Sequence, residues 1–223
     1  MSENKVSFEG RTVVITGAAR GIGAATARLV ASRGGKVFVL DIAKDGLASL
    51  KSELGLPDEQ VIPLDLGNQS SVKETIDSIF AKAGRIDALI NTAGIVGPTN
   101  VKVEDVKWED FETTLRINLF GTVWLTQAVI PYMKKAKFGR IAHVASIAGK
   151  EGNPGMSPYN VSKSGMIGFV KGIAKEIAAD GITINALAPA VIRTPMNAII
   201  GMSHLALQTN LDKKQRNYIE KVN

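Results

Sequence analysis

The chain contains no cysteine, which removes disulfides, thiol catalysis and thiolate metal sites together. Aromatic residues are scarce, at 5%. Trp108, Phe111, Leu115, Leu119 and Trp124 fall at roughly helical spacing and read as core and subunit interface rather than a substrate box. No apolar run approaches the roughly 18 residues that a membrane span needs. The opening MSENKVSFEG is polar and charged, without the apolar stretch of a signal peptide, so a cytoplasmic protein is expected. The net charge of +6 is not gathered into a basic block interleaved with aromatics, and no nucleic-acid partner is expected. His143 and His204 have no ligand-spaced His or carboxylate companions, so no metal site is expected.

What is present is the composition of a globular domain, 45% hydrophobic and 22% charged over 223 residues. Short β-branched runs at 12–16, 36–40, 61–65, 87–91, 140–146 and 182–187 alternate with helix-like stretches at 21–33, 44–54, 69–83, 106–135 and 157–179. Continuous apolar strands separated by helices predict an α/β fold, a doubly wound parallel sheet of Rossmann type. His143 sits inside the fifth strand run and reads as a core residue.

Between the first strand and first helix stands TGAARGIG, with Gly17, Gly21 and Gly23 at Gly-x-x-x-Gly-x-Gly spacing. Such a turn lets the backbone approach a pyrophosphate closely, and the helix N-terminus offers it free N–H groups. Asp41 closes the second strand run, 18 residues beyond Gly23. Its carboxylate reads either as an acceptor for adenosine ribose hydroxyls, which would repel a 2′-phosphate and favour NAD over NADP, or as an N-cap for the next helix. Arg20 inside the turn is a counter-signal, since a guanidinium can meet a phosphate.

Tyr159 and Lys163 are one helical turn apart on a helix that Ser157, as N-cap, and Pro158 in the first turn are expected to start. A phenol ordinarily ionises near pH 10, too high for acid–base work at neutral pH, and a neighbouring ammonium favours its anion. Ser146 falls at the carboxyl end of the fifth strand run, where an open α/β sheet presents ligand-binding groups.

With these residues assembled, residues 8–196 resemble a short-chain dehydrogenase/reductase of the Tyr-x-x-x-Lys type, close to 3-oxoacyl-carrier-protein reductases and polyol or sugar dehydrogenases. The resemblance rests on TGAARGIG, Asp41, Asp65-Leu66, NTAG at 91–94, Asn118, Ser146 and YNVSK at 159–163. It implies hydride transfer between NAD(H), with NADP the lesser choice, and an alcohol or ketone substrate. Tyr159 would be the general acid/base, Lys163 would lower its pKa and bind the nicotinamide ribose, and Ser146 would bond the substrate oxygen. Asn118 would hold a water in the proton relay, although it reads equally as a partner for a backbone carbonyl. The cofactor residues implied are Gly17, Arg20, Gly21, Ile22, Gly23, Asp41, Asp65, Leu66, Asn91, Ala93, Gly94, Tyr159, Lys163, Pro189, Ile192 and Thr194. Such enzymes pair through helices like 106–135 and 157–179, so a homo-oligomer, dimer or tetramer, is implied.

The end of the chain reads differently. Ala190 stands where this family places glycine, a strained choice if the position needs positive φ. Residues 197–223 contain no seventh strand-like run. Residues 192–223 resemble the dimerisation hairpin of sensor histidine kinases, with Ala190 at the phosphoacceptor position. A division into a dehydrogenase domain, 1–192, and a foreign helical tail, 193–223, is therefore expected. This leaves a second functional expectation open: a chimera that binds nucleotide or oligomerises with impaired catalysis.

Overall fold

A computed structural model describes residues 6–190. Six parallel strands form one sheet in the order β3-β2-β1-β4-β5-β6, which is the doubly wound arrangement expected. They are β1 Thr12–Thr16, β2 Lys36–Asp41, β3 Val61–Pro63, β4 Ala88–Asn91, β5 Gly139–Val144 and β6 Ile182–Leu187. The chain order reverses between β1 and β4, whose register pairs Thr16 with Asn91. Loops leaving those two carboxyl ends part from one another, and the crevice between them is where such sheets bind ligands.

Helices cover both faces because every strand is apolar on both. Val13, Ile15, Val37, Val39, Ala88 and Ile90 pack under α1 (Gly21–Ser32) and α2 (Lys44–Leu54), joined by Leu47 and Leu50. Val14, Leu89, Ile141 and Ile184 face the other way, with Leu125, Val129, Met133 and Val170. Those partners come from α5 (Gly121–Ala136) and α7 (Ser157–Ile177), and Val72, Ile76 and Ile79 of α3 (Gln69–Ala83) pack there too. Full burial of each such aliphatic side chain contributes about 2 kcal/mol. Asn68 caps α3 by accepting the Ser71 N–H at 3.1 Å, and α3 stops at Gly84 in the left-handed region.

Two helix expectations need correction. The stretch 106–135 is not one regular helix. It comprises α4 (Trp108–Leu115), a π-helical segment Arg116–Phe120 and α5. A π segment inserts one extra residue per turn, which apolar periodicity does not reveal, and Asn118 lies inside it. Ser157 is not the N-cap of α7; Met156 holds that position without a side-chain cap, and the buried Ser157 hydroxyl has no hydrogen-bond partner. The strand expected to reach Ser146 ends at Val144, and a short helix α6 (Ala148–Glu151) follows.

Among the described residues β6 is one edge of the sheet and β3 the other. The non-glycine residues there with positive φ are Asn100 and Lys137, so Ala190 does not carry the strain considered for it. Ile192, Thr194 and the proposed tail 193–223 lie outside the described residues. No described helix is long and apolar enough to cross a membrane.

Candidate active site

A cleft of about 790 Å³ opens at the β1–β4 switch point. Its walls include Gly17, Arg20, Gly21 and Ile22 from the glycine turn, and Asp41 and Ile42 after β2. Asp65, Leu66, Ala93, Gly94 and Ile95 complete it from the loops after β3 and β4. Most residues expected to hold the cofactor therefore border one cavity. Gly23, Asn91, Tyr159, Lys163 and Pro189 do not line it.

The glycines explain the turn. Gly17 has φ of 68°, and a Cβ there would lie 2.6 Å from the Ala93 nitrogen. A Cβ on Gly23 would lie 2.1 Å from the Gly17 carbonyl oxygen, so Gly23 serves the contact between helix and turn. At the start of α1, Arg20 makes no side-chain cap and the first turn carries no acidic residue. Its N–H groups thus remain available to an anion, as a dinucleotide phosphate requires. These observations fit a dinucleotide in the cleft.

Asp41 is not the N-cap of α2, a position held by Ala43, but its carboxylate is bound to backbone on both sides of the turn. Oδ2 accepts the Ala19 N–H at 3.0 Å and Oδ1 accepts the Ala43 N–H at 2.9 Å, at the turn into α2. A carboxylate offers about four lone pairs, so two remain for ribose hydroxyls. Asp65 accepts the Gly67 N–H at 2.8 Å.

Asn91 requires correction. It is 1% exposed, and its amide is engaged by Thr16 Oγ1 at 2.6 Å and by Thr122 Oγ1 at 3.0 Å, away from the cleft. Asn118 is also fully buried and bonds backbone, the alternative kept open for it. Its Oδ1 accepts the Ile95 N–H and its Nδ2 donates to the Ile95 carbonyl, both at 2.8 Å. That pair of bonds holds the strand-like exit of β4 against the π segment.

Lys163 is 4% exposed and donates to the Val144 carbonyl at 2.7 Å. Its ammonium lies 5.6 Å from the centroid of the Tyr159 ring. A side chain grown at Gly94 would meet Asn118 Oδ1 at 3.0 Å and Lys163 Nζ at 3.5 Å. Lys163 therefore stands on α7 directly behind Gly94 of the cleft wall. Burial pushes it down to about 8. Ser146 is half-buried and accepts the Ala148 N–H at 3.1 Å. The loop carrying it is pinned on both sides. Ile147 N–H donates to the Pro189 carbonyl at 3.0 Å, and Ser164 Oγ donates to the Gly149 carbonyl at 2.6 Å.

His143 is a core residue. Its Nε2 shares a 3.0 Å hydrogen bond with Thr126 Oγ1, its Nδ1 has no partner, and burial, aided by the Lys163 charge, pushes it down to about 3. Trp108 and Phe111 stack at 5.6 Å, but Trp108 is 69% exposed and so is not core. Among the described residues no group of three His, Cys, Asp or Glu could hold a metal. Sequence reasoning passed over Thr92, Ile95, Ile42 and Gly149. Thr92 donates to the Thr16 carbonyl at 2.7 Å while lining the cleft. Gly149 leaves no room for a Cβ against the Lys163 backbone, at 2.6 Å. Neither has a local signal, because each matters through a contact with a distant segment.

Fold and cleft together define a Rossmann-type dinucleotide-binding protein. The comparisons narrow this. Residues 11–203 match the family model described as short chain dehydrogenase, and the chain belongs to that family of nicotinamide-dependent oxidoreductases. It is 44% identical over 192 residues to a 3-oxoacyl-acyl-carrier-protein reductase of Thermotoga maritima, covering 85% of this chain and 77% of that protein. It is 38% identical over 189 residues to 2-dehydro-3-deoxy-L-rhamnonate dehydrogenase (NAD(+)) of a Sphingomonas species, covering 85% of this chain and 75% of that protein. Among solved structures, a short chain dehydrogenase from Mycobacterium smegmatis superposes with a TM-score of 0.81 at 26% identity, covering 92% of this chain and 91% of that one. The family match continues to residue 203, past the expected change of character at 192, and the kinase-hairpin reading finds no support in these matches.

Proposed function

We propose that the protein transfers a hydride between NAD(H) and an alcohol or ketone, with Tyr159 as general acid/base. The observation that carries this reading is the buried ammonium of Lys163, set between the Tyr159 ring and Gly94 of the cleft wall. A buried cation with only a backbone acceptor within bonding distance favours negative charge developing on a neighbouring oxygen.

A bound nicotinamide dinucleotide supplies or accepts the hydride. The protein's residues do the rest. The N-terminus of α1 and Arg20 meet the pyrophosphate, and Asp65 and Leu66 flank the adenine. Asp41 takes the adenosine ribose hydroxyls, which supports NAD over its 2′-phosphorylated form. In the reducing direction Ser146 orients the carbonyl oxygen and Tyr159 gives it a proton as the carbonyl carbon gains the hydride. In the oxidising direction Tyr159 takes that proton back. Lys163 stabilises the resulting charge and holds the nicotinamide ribose. Pro189, whose carbonyl anchors the Ser146 loop, is the described residue assigned to the nicotinamide end.

Self-association as a dimer or tetramer is part of the same reading. Trp108, Phe120 and Val161 are exposed large side chains on α4, the π segment and α7. Their apolar area favours a second copy over water.

The test is ketone-dependent oxidation of NADH across a panel of 3-oxoacyl thioesters and sugar-derived ketones. Turnover with NADH exceeding that with NADPH is the expected result. Absence of turnover with every ketone and both cofactors contradicts the proposal.

A further inference from the structure

Five buried hydrogen bonds run from the first strand to the helix of the tyrosine. Thr16 Oγ1 donates to Asn91 Oδ1 at 2.6 Å, and Asn91 Nδ2 donates to Thr122 Oγ1 at 3.0 Å. Thr122 Oγ1 donates to the Asn118 carbonyl at 2.7 Å. From Asn118 the side chain continues, Nδ2 donating to Ser162 Oγ at 3.1 Å, and Ser162 Oγ donates to the Tyr159 carbonyl at 2.8 Å. None of the five side chains is more than 1% exposed.

The first three bonds polarise one another, and so do the last two; between them the series passes from the backbone carbonyl of Asn118 to its side-chain amide. Both amides have a single orientation compatible with their partners. Reversing Asn118 would turn its amide against the Ile95 N–H, and reversing Asn91 would set its oxygen against Thr122 Oγ1, whose one hydrogen goes to the Asn118 carbonyl. The only group that joins the strand half of this chain to the helix half is the Thr122 hydroxyl. It sits one turn beyond Asn118 and reaches back over the π segment to its carbonyl. Thr16, at the first link, immediately precedes Gly17 and borders the cleft. Ser162, at the last, lies between Tyr159 and Lys163 on α7.

We propose that Thr122 is a positioning residue that keeps the nucleotide end of the cleft and the Tyr159–Lys163 pair in one register, acting through Asn118 and its clamp on Ile95. The proposal rests on the redox reading above for its effect on turnover, and on the cofactor-free protein for its effect on structure. Valine at 122 has nearly the same shape and no hydroxyl. It leaves the Asn91 amide N–H without its acceptor in the core and takes one donor from the Asn118 carbonyl, and a buried polar group without its partner is costly.

The test compares Thr122→Val, Thr122→Ser and Ser162→Ala with the parent protein in two measurements. The first is amide hydrogen exchange at Ile95 without cofactor, and the second is kcat for a ketone substrate alongside the Kd of NADH. Thr122→Val is expected to speed Ile95 exchange about tenfold and lower kcat about tenfold, with the NADH Kd within about twofold, because orientation rather than binding is lost. Thr122→Ser, which restores the hydroxyl, is expected within about twofold of the parent in all three. Parent-like Ile95 exchange in Thr122→Val overturns the proposal, as does a serine variant as impaired as the valine one. If Thr122→Val does not fold, Ser162→Ala interrupts the same chain at its far end, and parent-like exchange and kcat there overturn it. A parent protein that turns over no ketone defeats the redox reading, and Ile95 exchange then judges the hydrogen-bond chain by itself.

Discussion

The Asp41 carboxylate accepts the backbone N–H of Ala19 at 3.0 Å, across 22 positions of sequence. The residue proposed to choose between NAD and NADP thus also holds the glycine turn. Asp41→Ala removes both functions, whereas Asp41→Asn keeps an acceptor for Ala19 and loses the charge. The expected outcome is a larger loss of NADH affinity in the alanine variant, about tenfold or more, than in the asparagine variant. Fluorescence titration with NADH and NADPH reads both. Equal losses would show that the contact with Ala19 contributes nothing.

Lys163 carries a second expectation because its folded pKa, about 8, lies below its ordinary value of 10.5. Between those values the unfolded chain keeps a proton that the folded protein has released. Stability therefore rises as pH climbs from about 8 toward 10.5, and below 8 the cost of burying the charge is fully present. That cost is about 3 kcal/mol at one pKa unit per 1.4 kcal/mol, an order of magnitude. Lys163→Met is expected to melt at a higher temperature than the parent at pH 7 without cofactor, the gap closing by about pH 10. A lower melting temperature at pH 7 would count against the burial argument.

His143 shifts in the same direction for the same reason. Its neutral form is held in the core, pushed down to about 3 from 6.5. Protons bind the unfolded chain first as pH falls below 6.5, so stability is lost from there down toward pH 3. His143→Gln keeps a polar partner for Thr126 but cannot titrate. The variant is expected to show a shallower fall in melting temperature between pH 6.5 and 4. An identical slope would place the acid sensitivity elsewhere.

The fold was legible because its signals are local. Alternating β-branched and amphipathic runs located all six strands, and 44–54 and 69–83 match α2 and α3 to the residue. The glycine turn was legible because it follows the first strand of the alternating pattern; glycines alone also serve ordinary turns. Asn91 and Asn118 were read as site residues, yet their amides are spent on Thr16, Thr122, Ile95 and Ser162. Nothing near them in sequence announces those partners, which the sheet register and the π segment bring together. The helix start at Ser157 failed similarly: the residue type suits a cap, but the chain arrives with Met156 in that position.

The central claim is that the Tyr159 hydroxyl exchanges a proton with the reacting oxygen while Lys163 supports its charge. The most direct test is single-turnover reduction of a ketone by Tyr159→Phe with NADH bound. The account predicts a fall in rate of about a hundredfold or more, the usual scale of general acid catalysis, with the Kd of NADH within about twofold of the parent. A variant that reduces the ketone at the parent rate would contradict it.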